Sequence, residues 1–186
     1  VLANATTRGG QDLAGFLTGH LNESWSTTLA AGAHRQSRED VDGDGWAEQA
    51  GYRRYTLRPR LWWDDRSGRS LFLTAGVVDE YRTGGTVPGR TLPDGRVFAE
   101  SVTTHRYDAG AVFTWTLADD MAFTTRASYT SNRQSRRFGL HQAPSTAETA
   151  LAEAAWNGRA GAHRWLLGLA AKHEALTAPT VSGIDY

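Results

Sequence analysis

HRYDAGAVFTWTLADDMAFTTRASYTSNRQ, residues 105–134, is the stretch whose reading decides the fold. Taken in steps of two, its first arm sets Tyr107, Ala109, Ala111, Phe113, Trp115 and Leu117 on one face and Asp108, Gly110, Val112, Thr114 and Thr116 on the other. After Ala118-Asp119-Asp120 the alternation resumes, with Met121, Phe123, Thr125, Ala127 and Tyr129 against Ala122, Thr124, Arg126, Ser128 and Thr130. A repeat of two is the period of a strand with one apolar and one wetted face. Strands of soluble sandwiches alternate in the same way but usually end after about 5–6 residues, whereas each arm here runs for more than a dozen. A tilted strand needs roughly 9–11 residues to cross the hydrocarbon of a bilayer, so either arm can span one and project beyond it.

Working outward, the same pattern recurs on both sides. Residues 11–21 alternate through Leu13, Gly15, Leu17, Gly19 and Leu21, and after Asn22-Glu23-Ser24 residues 25–35 place Trp25, Thr27, Leu29, Ala31 and Ala33 together. Tyr55, Leu57, Pro59, Leu61 and Trp63 oppose Arg54, Thr56, Arg58, Arg60 and Trp62 over residues 52–63. Residues 70–82 follow the link 64–68, with Leu71, Leu73, Ala75 and Val77 on one face. Beyond the central hairpin, residues 147–157 and 163–175 form a last pair around Gly158-Arg159-Ala160-Gly161, with Trp165, Leu167, Leu169 and Ala171 aligned. The polar stretches 36–51, 83–103 and 135–146, rich in Gly, Pro, Asp, Arg and Ser, read as loops. The expectation is an all-β chain of about eight antiparallel strands, with short links at one end and long loops at the other, and no helix.

Composition narrows the classes. The chain has 186 residues, with 20 basic against 20 acidic side chains, so no field that would gather nucleic acid is implied. Without cysteine, neither a disulfide scaffold nor a thiolate metal site is available. Mean hydropathy is −0.48 and no run reaches the length of a membrane helix. A transmembrane barrel passes that test, because only every second residue of a strand has to be apolar. The chain opens at Val1 in mid-pattern, without a charged n-region or an apolar h-region, so either a signal peptide has been removed or this is an internal segment.

Outer-membrane barrels carry short periplasmic turns, long external loops and aromatic girdles at both interfaces. Here Trp25, Trp62, Trp63, Phe72, Trp115, Phe123, Trp156 and Trp165 lie near the short links, while Tyr52, Tyr55, Tyr81, Tyr107 and Tyr129 lie towards the long loops. An ordinary sandwich core would not sort tryptophan to one end.

With Asp40-Val41-Asp42-Gly43-Asp44-Gly45-Trp46-Ala47 running into Tyr52-Arg53-Arg54 and Arg58-Pro59-Arg60-Leu61, with the loop Gly84-Gly85-Thr86-Val87-Pro88-Gly89 and Leu92-Pro93-Asp94-Gly95-Arg96, and with this strand spacing, the chain resembles the TonB-dependent outer-membrane receptors. The likeness covers most of the sequence. It implies a place in the cell outer membrane, surrounded by lipid, in a large barrel closed around an N-terminal plug domain. It also implies import of a scarce small molecule, such as a ferric siderophore, haem or cobalamin, with energy delivered by TonB. No plug, TonB box or terminal aromatic strand is present in residues 1–186, and Gly183-Ile184-Asp185-Tyr186 reads as a loop. The chain is therefore expected to be a single segment from the middle of such a barrel.

Candidate chemistry is sparse. Asp40, Asp42 and Asp44, with glycine at the sixth position, match the opening of a calcium loop. The twelfth position is Gly51 rather than a bidentate glutamate, though Glu48 is close. An acidic, glycine-rich external turn is the plainer reading of the same residues. Arg54, Arg58, Arg60, Arg82, Arg106 and Arg126 fall on the polar faces of their strands. They either draw an anionic chelate into a lumen or pair with acidic groups of a plug and with Glu80 and Asp108. The six histidines are scattered, none in a ligand spacing, and no cofactor is expected. Import through a plugged barrel leads, ahead of a free-standing eight-stranded barrel with an adhesive or structural role. An embedded hydrolase comes third, because no serine, histidine and acid lie at matched heights on neighbouring strands, and no enzyme activity is expected.

Overall fold

Period-two alternation in consecutive segments joined by short turns is satisfied most simply when each strand pairs with its sequence neighbour. The computed structural model, which describes residues 1–178, has that arrangement. Nine antiparallel strands form one sheet in sequence order: β1 (Leu2–Ala5), β2 (Gln11–His20), β3 (Trp25–Gln36), β4 (Gly51–Asp64), β5 (Arg69–Gly85), β6 (Ala99–Ala118), β7 (Met121–Phe138), β8 (His141–Ala160) and β9 (His163–Thr177). No helix occurs among the described residues. The sheet is open, since β1 and β9 are its two edges and do not pair with each other.

Three expectations are corrected. The strand count is nine rather than eight, because four residues at the start pair with β2 through Leu2↔Ala14 to Ala5↔Gln11. Four residues are too few to show a period, so β1 is invisible to pattern. Residues 135–146 are not a loop: Ser135↔Pro144 and Phe138↔His141 continue the β7–β8 ladder to a two-residue turn at Gly139-Leu140. The strict alternation of short and long connections therefore fails at this hairpin. Likewise β6 begins at Ala99, which pairs with Gly85, so the loop expected over 83–103 shrinks to 86–98. Ladder hydrogen bonds need no apolar side chain, and polar extensions of this kind carry no hydrophobic signal. The reading of residues 183–186 lies outside the described residues.

Register fixes the two faces. Trp25↔Trp63, Leu61↔Leu73, Leu73↔Ala111, Ala111↔Ala127, Ala127↔Ala152 and Ala152↔Ala171 run across one face from strand to strand. Trp25, Trp63, Trp115, Trp156 and Trp165 bound this apolar face at the short-turn end, and Tyr55, Tyr81, Tyr107 and Tyr129 lie towards the other. Trp62 and Phe72 depart from the expected girdle: they lie on the polar face and stack on each other at 5.3 Å. Tyr52 also sits there, between two arginines.

Nothing within the sheet covers the apolar face. The solvent-accessible surface is 13016 Å², against about 8,800 Å² from the scaling for a compact monomer of this mass. Among the described residues the one buried hydrophobic side chain is Ala47, whereas Leu17 and Leu167 are each 69% exposed and Leu169 79%. A sheet normally buries one face on a second layer, and this one presents a single layer.

Local chemistry explains the ends. Asp65 Oδ1 accepts the backbone N–H of Ser67 and of Arg69 at 2.8 and 2.9 Å, closing the β4–β5 turn. Bonds from the Ser67 side chain and then the Arg69 backbone hold its pKa below the usual carboxylate value. In β4 the ladder to β5 passes from Leu57↔Val77 to Arg60↔Thr74, lapsing around Pro59, which has no N–H to contribute. At the opposite end, amides of Ser135, Arg136, Arg137 and Phe138 lie between β6 and β8. Hydrogen exchange should show them protected to the level of the β7 midsection, and loop-like exchange over these residues would contradict the extended hairpin.

Candidate functional site: the polar face and its loop cap

The polar face of β4–β8 gathers the arginines anticipated from sequence, and two carboxylates organise most of them. Glu80 on β5 accepts Nε of Arg54 from β4 and Nε of Arg82 two residues along its own strand, the latter at 2.5 Å. Tyr52 lies beneath both guanidiniums, 5.7 Å from each to its ring centroid. Halfway along the face, Arg58 reaches across β5 and donates through Nη1 and Nη2 to the two oxygens of Asp108 on β6, at 2.8 and 2.9 Å. Arg106 approaches the same carboxylate at 3.7 Å. The crossing requires Gly76: a Cβ there would stand 2.5 Å from Arg58 Nη2 and 2.7 Å from both Asp108 oxygens.

Pairing is therefore the state of these arginines, but it is incomplete neutralisation. Glu80 serves two guanidiniums and Asp108 serves two, with each carboxylate side chain only 11% and 13% exposed. Each cluster keeps one positive charge in surplus. Nearer the short turns Arg126 pairs with Glu153 of β8, a partner that sequence reasoning did not supply. Arg60 has no ion-pair partner among the described residues and is exposed. Bidentate guanidinium geometry and fixed aromatic support hold these cations in place, which lowers the ordering cost of meeting an anion.

The acidic motif folds as its spacing suggests. Asp40 accepts the N–H groups of Gly43 and Gly45 at 2.7 and 2.8 Å, Asp42 accepts that of Asp44, and Asp44 accepts that of Trp46. Gly45, at φ 95°, adopts a turn open to glycine. Glu48 accepts the N–H of Val41 at 2.7 Å, and oxygens of Asp40, Asp42, Asp44 and Glu48 come within 4.8 Å of one another. The twelfth position, Gly51, instead opens β4. These four carboxylates are the residues that would hold a hard cation such as calcium, which takes oxygen ligands. Their existing backbone bonds also account for the loop without one.

A contact between loops was not legible in sequence. Trp46 packs on Phe98 at 5.5 Å, Trp46 and Thr86 form an isolated bridge, and Val87 N–H donates to the Gly45 carbonyl at 2.9 Å. The acidic loop is thus docked on loop 86–98, near the Glu80 cluster end of the sheet. Arg38 joins them by donating to the Gly84 carbonyl at 3.1 Å.

No family model, curated protein or solved structure matches this chain.

Two outcomes follow from this geometry. Gly76→Val should destabilise the fold by about 1–3 kcal/mol through overpacking while Thr74→Val, on the same face, changes little; equal effects in a denaturant titration would show that the Arg58–Asp108 crossing does not depend on the glycine. Asp40→Ala removes the acceptor of two loop amides and should speed proteolytic cleavage within residues 40–48, so unchanged cleavage would mean that the docked Trp46 alone holds the loop.

Proposed function

We propose that this chain is an arc of an outer-membrane β-barrel of the TonB-dependent receptor type, importing a scarce, anionic small-molecule chelate. The observation that carries this reading is the uncovered apolar face bounded by tryptophans at the short-turn end and tyrosines towards the loops. From Trp115 to Tyr107, and from Trp63 to Tyr55, the separation is about 27 Å along the strand, or about 20 Å once tilted. That is close to the roughly 25 Å apolar band of outer-membrane barrels. Lipid is the covering that such a face fits, because it accepts apolar side chains over a broad band without a matching second layer.

The open edges favour an arc over a self-contained barrel. An eight- or nine-stranded barrel must pair its first and last strands, and β1 and β9 are unpaired among the described residues. Unsatisfied edge N–H and C=O groups are not tolerated in hydrocarbon, so further strands of the same barrel are required on both sides. The opposite face then lines a lumen, where a plug domain of the same polypeptide is expected. Surplus charge at the Glu80 and Asp108 clusters suits an anionic cargo passing a positively lined wall.

On this reading Ala111→Arg should cost about 2–4 kcal/mol in a bilayer, and Thr114→Arg, on the other face of the same strand, far less. Equal penalties would sink the face assignment. Function is tested with the intact receptor in cells: uptake of a labelled anionic ferric siderophore or of haem should stop when an uncoupler collapses the proton-motive force. Uptake that continues under the uncoupler would contradict TonB-driven import.

A further inference from the structure

Arginine also occurs on the apolar face, and at its loop end Arg35 and Arg53 are unneutralised. Arg35 on β3 and Arg53 on β4 are direct cross-strand partners, both exposed, beyond the Tyr55 end of the apolar band. Among the described residues neither forms an ion pair, in contrast to Arg54, Arg58 and Arg82 on the other face. Like charges directly opposite in a ladder repel, so this placement lacks a compensating anion within the sheet. Arg53 lies over the Tyr81 ring at 5.4 Å, which holds its guanidinium against the face rather than out in solvent. Two adjoining clefts, about 530 and 320 Å³, are both lined by Arg35 and Arg53, one running to Gln11 and Tyr55 and the other to Gln36 and Tyr81.

We propose that Arg35 and Arg53 bind the phosphate of an anionic lipid headgroup at the loop-side rim of the apolar face. The inference rests on the membrane reading given above and deepens it by naming a lipid site. A lipid is the occupant that fits both halves of the surface. Its phosphate meets two guanidiniums suited to forked recognition, while its chains continue over Ala33, Leu13 and Leu57, which share the face directly below. A soluble phosphate would use the charges and leave the adjoining apolar surface bare. Tyr55 and Tyr81 mark the interface level at which a headgroup lies.

The test uses the intact receptor reconstituted into vesicles of phosphatidylcholine alone and of phosphatidylcholine doped with phosphatidylglycerol. Insertion is read by protection from protease, and bound lipid is counted by native mass spectrometry after extraction. Wild type should insert in both and retain phosphatidylglycerol preferentially. Arg35→Gln and Arg53→Gln should each lower that retention by about fivefold, the scale of one basic side chain at an anionic surface. Arg164→Gln, a charge-matched change on the polar face near the short turns, should leave it unchanged. Normal insertion with equal retention by wild type and the Arg35→Gln/Arg53→Gln variant would overturn the lipid site and leave the membrane reading standing. Failure of wild type to insert in either vesicle would overturn both. Loss of phosphatidylglycerol on adding inorganic phosphate, at an ionic strength matched with chloride, would also overturn the proposal, by showing a site for the free anion.

Discussion

A single antiparallel layer has to find something apolar for one of its faces, and that requirement governs everything else in this molecule. Leu17, Leu167 and Leu169 stand open to the surroundings on a sheet whose described residues include one buried hydrophobic side chain. Contiguous apolar patches larger than a few hundred Å² are rare on soluble monomers. A second protein layer would have to match the whole breadth of nine strands. Lipid needs no matching, and the Trp and Tyr rows at the margins of the face are the residue types that settle where hydrocarbon meets headgroup.

The opposite face obeys a different constraint. Guanidiniums there are held by carboxylates that are too few for them, with Glu80 and Asp108 each shared by two arginines. Sharing keeps the cations ordered, since each has at least one fixed acceptor, and still leaves charge for a mobile anion. The Arg58–Asp108 bond passing over Gly76 shows how a missing side chain on the middle strand lets two outer strands interact directly. The Trp46–Phe98 contact anchors the acidic loop on its neighbour, while the loop's own backbone N–H groups hold its carboxylates together.

Much of this was legible in sequence because its physical signal is a period. Strands whose two faces alternate in polarity, such as 107–117 and 121–129, declare both their conformation and their faces. Segments paired through backbone alone do not: Leu2–Ala5 is too short, and the arm from Ser135 to Phe138 is too polar, to carry a period. Height along the strand places Trp62 and Phe72 in a girdle, but parity puts them on the polar face, where they stack. Among the site residues, Arg54, Arg58, Arg60, Arg82, Arg106 and Arg126 all lie on the expected face. The partnership of Arg126 with Glu153 required the register of β7 against β8, which no local pattern supplies. The union of Asp40, Asp42, Asp44 and Glu48 was readable because all four lie within one short loop.

Residues 1–186 contain no cysteine, so once any thiol elsewhere in the intact protein is replaced, a single thiol introduced here reports its own position without background. Cysteines placed one at a time from Tyr107 to Thr116 in the intact protein, spin-labelled and reconstituted in bilayers, can be probed with oxygen, which concentrates in lipid, and with a water-soluble nickel chelate. If the apolar face meets lipid, collisions with oxygen dominate at Ala109, Ala111 and Phe113 and collisions with the chelate dominate at Asp108, Gly110 and Val112, alternating at every residue. Equal access of the aqueous chelate to both sets would mean that water bathes both faces, and the sheet would not be a membrane wall.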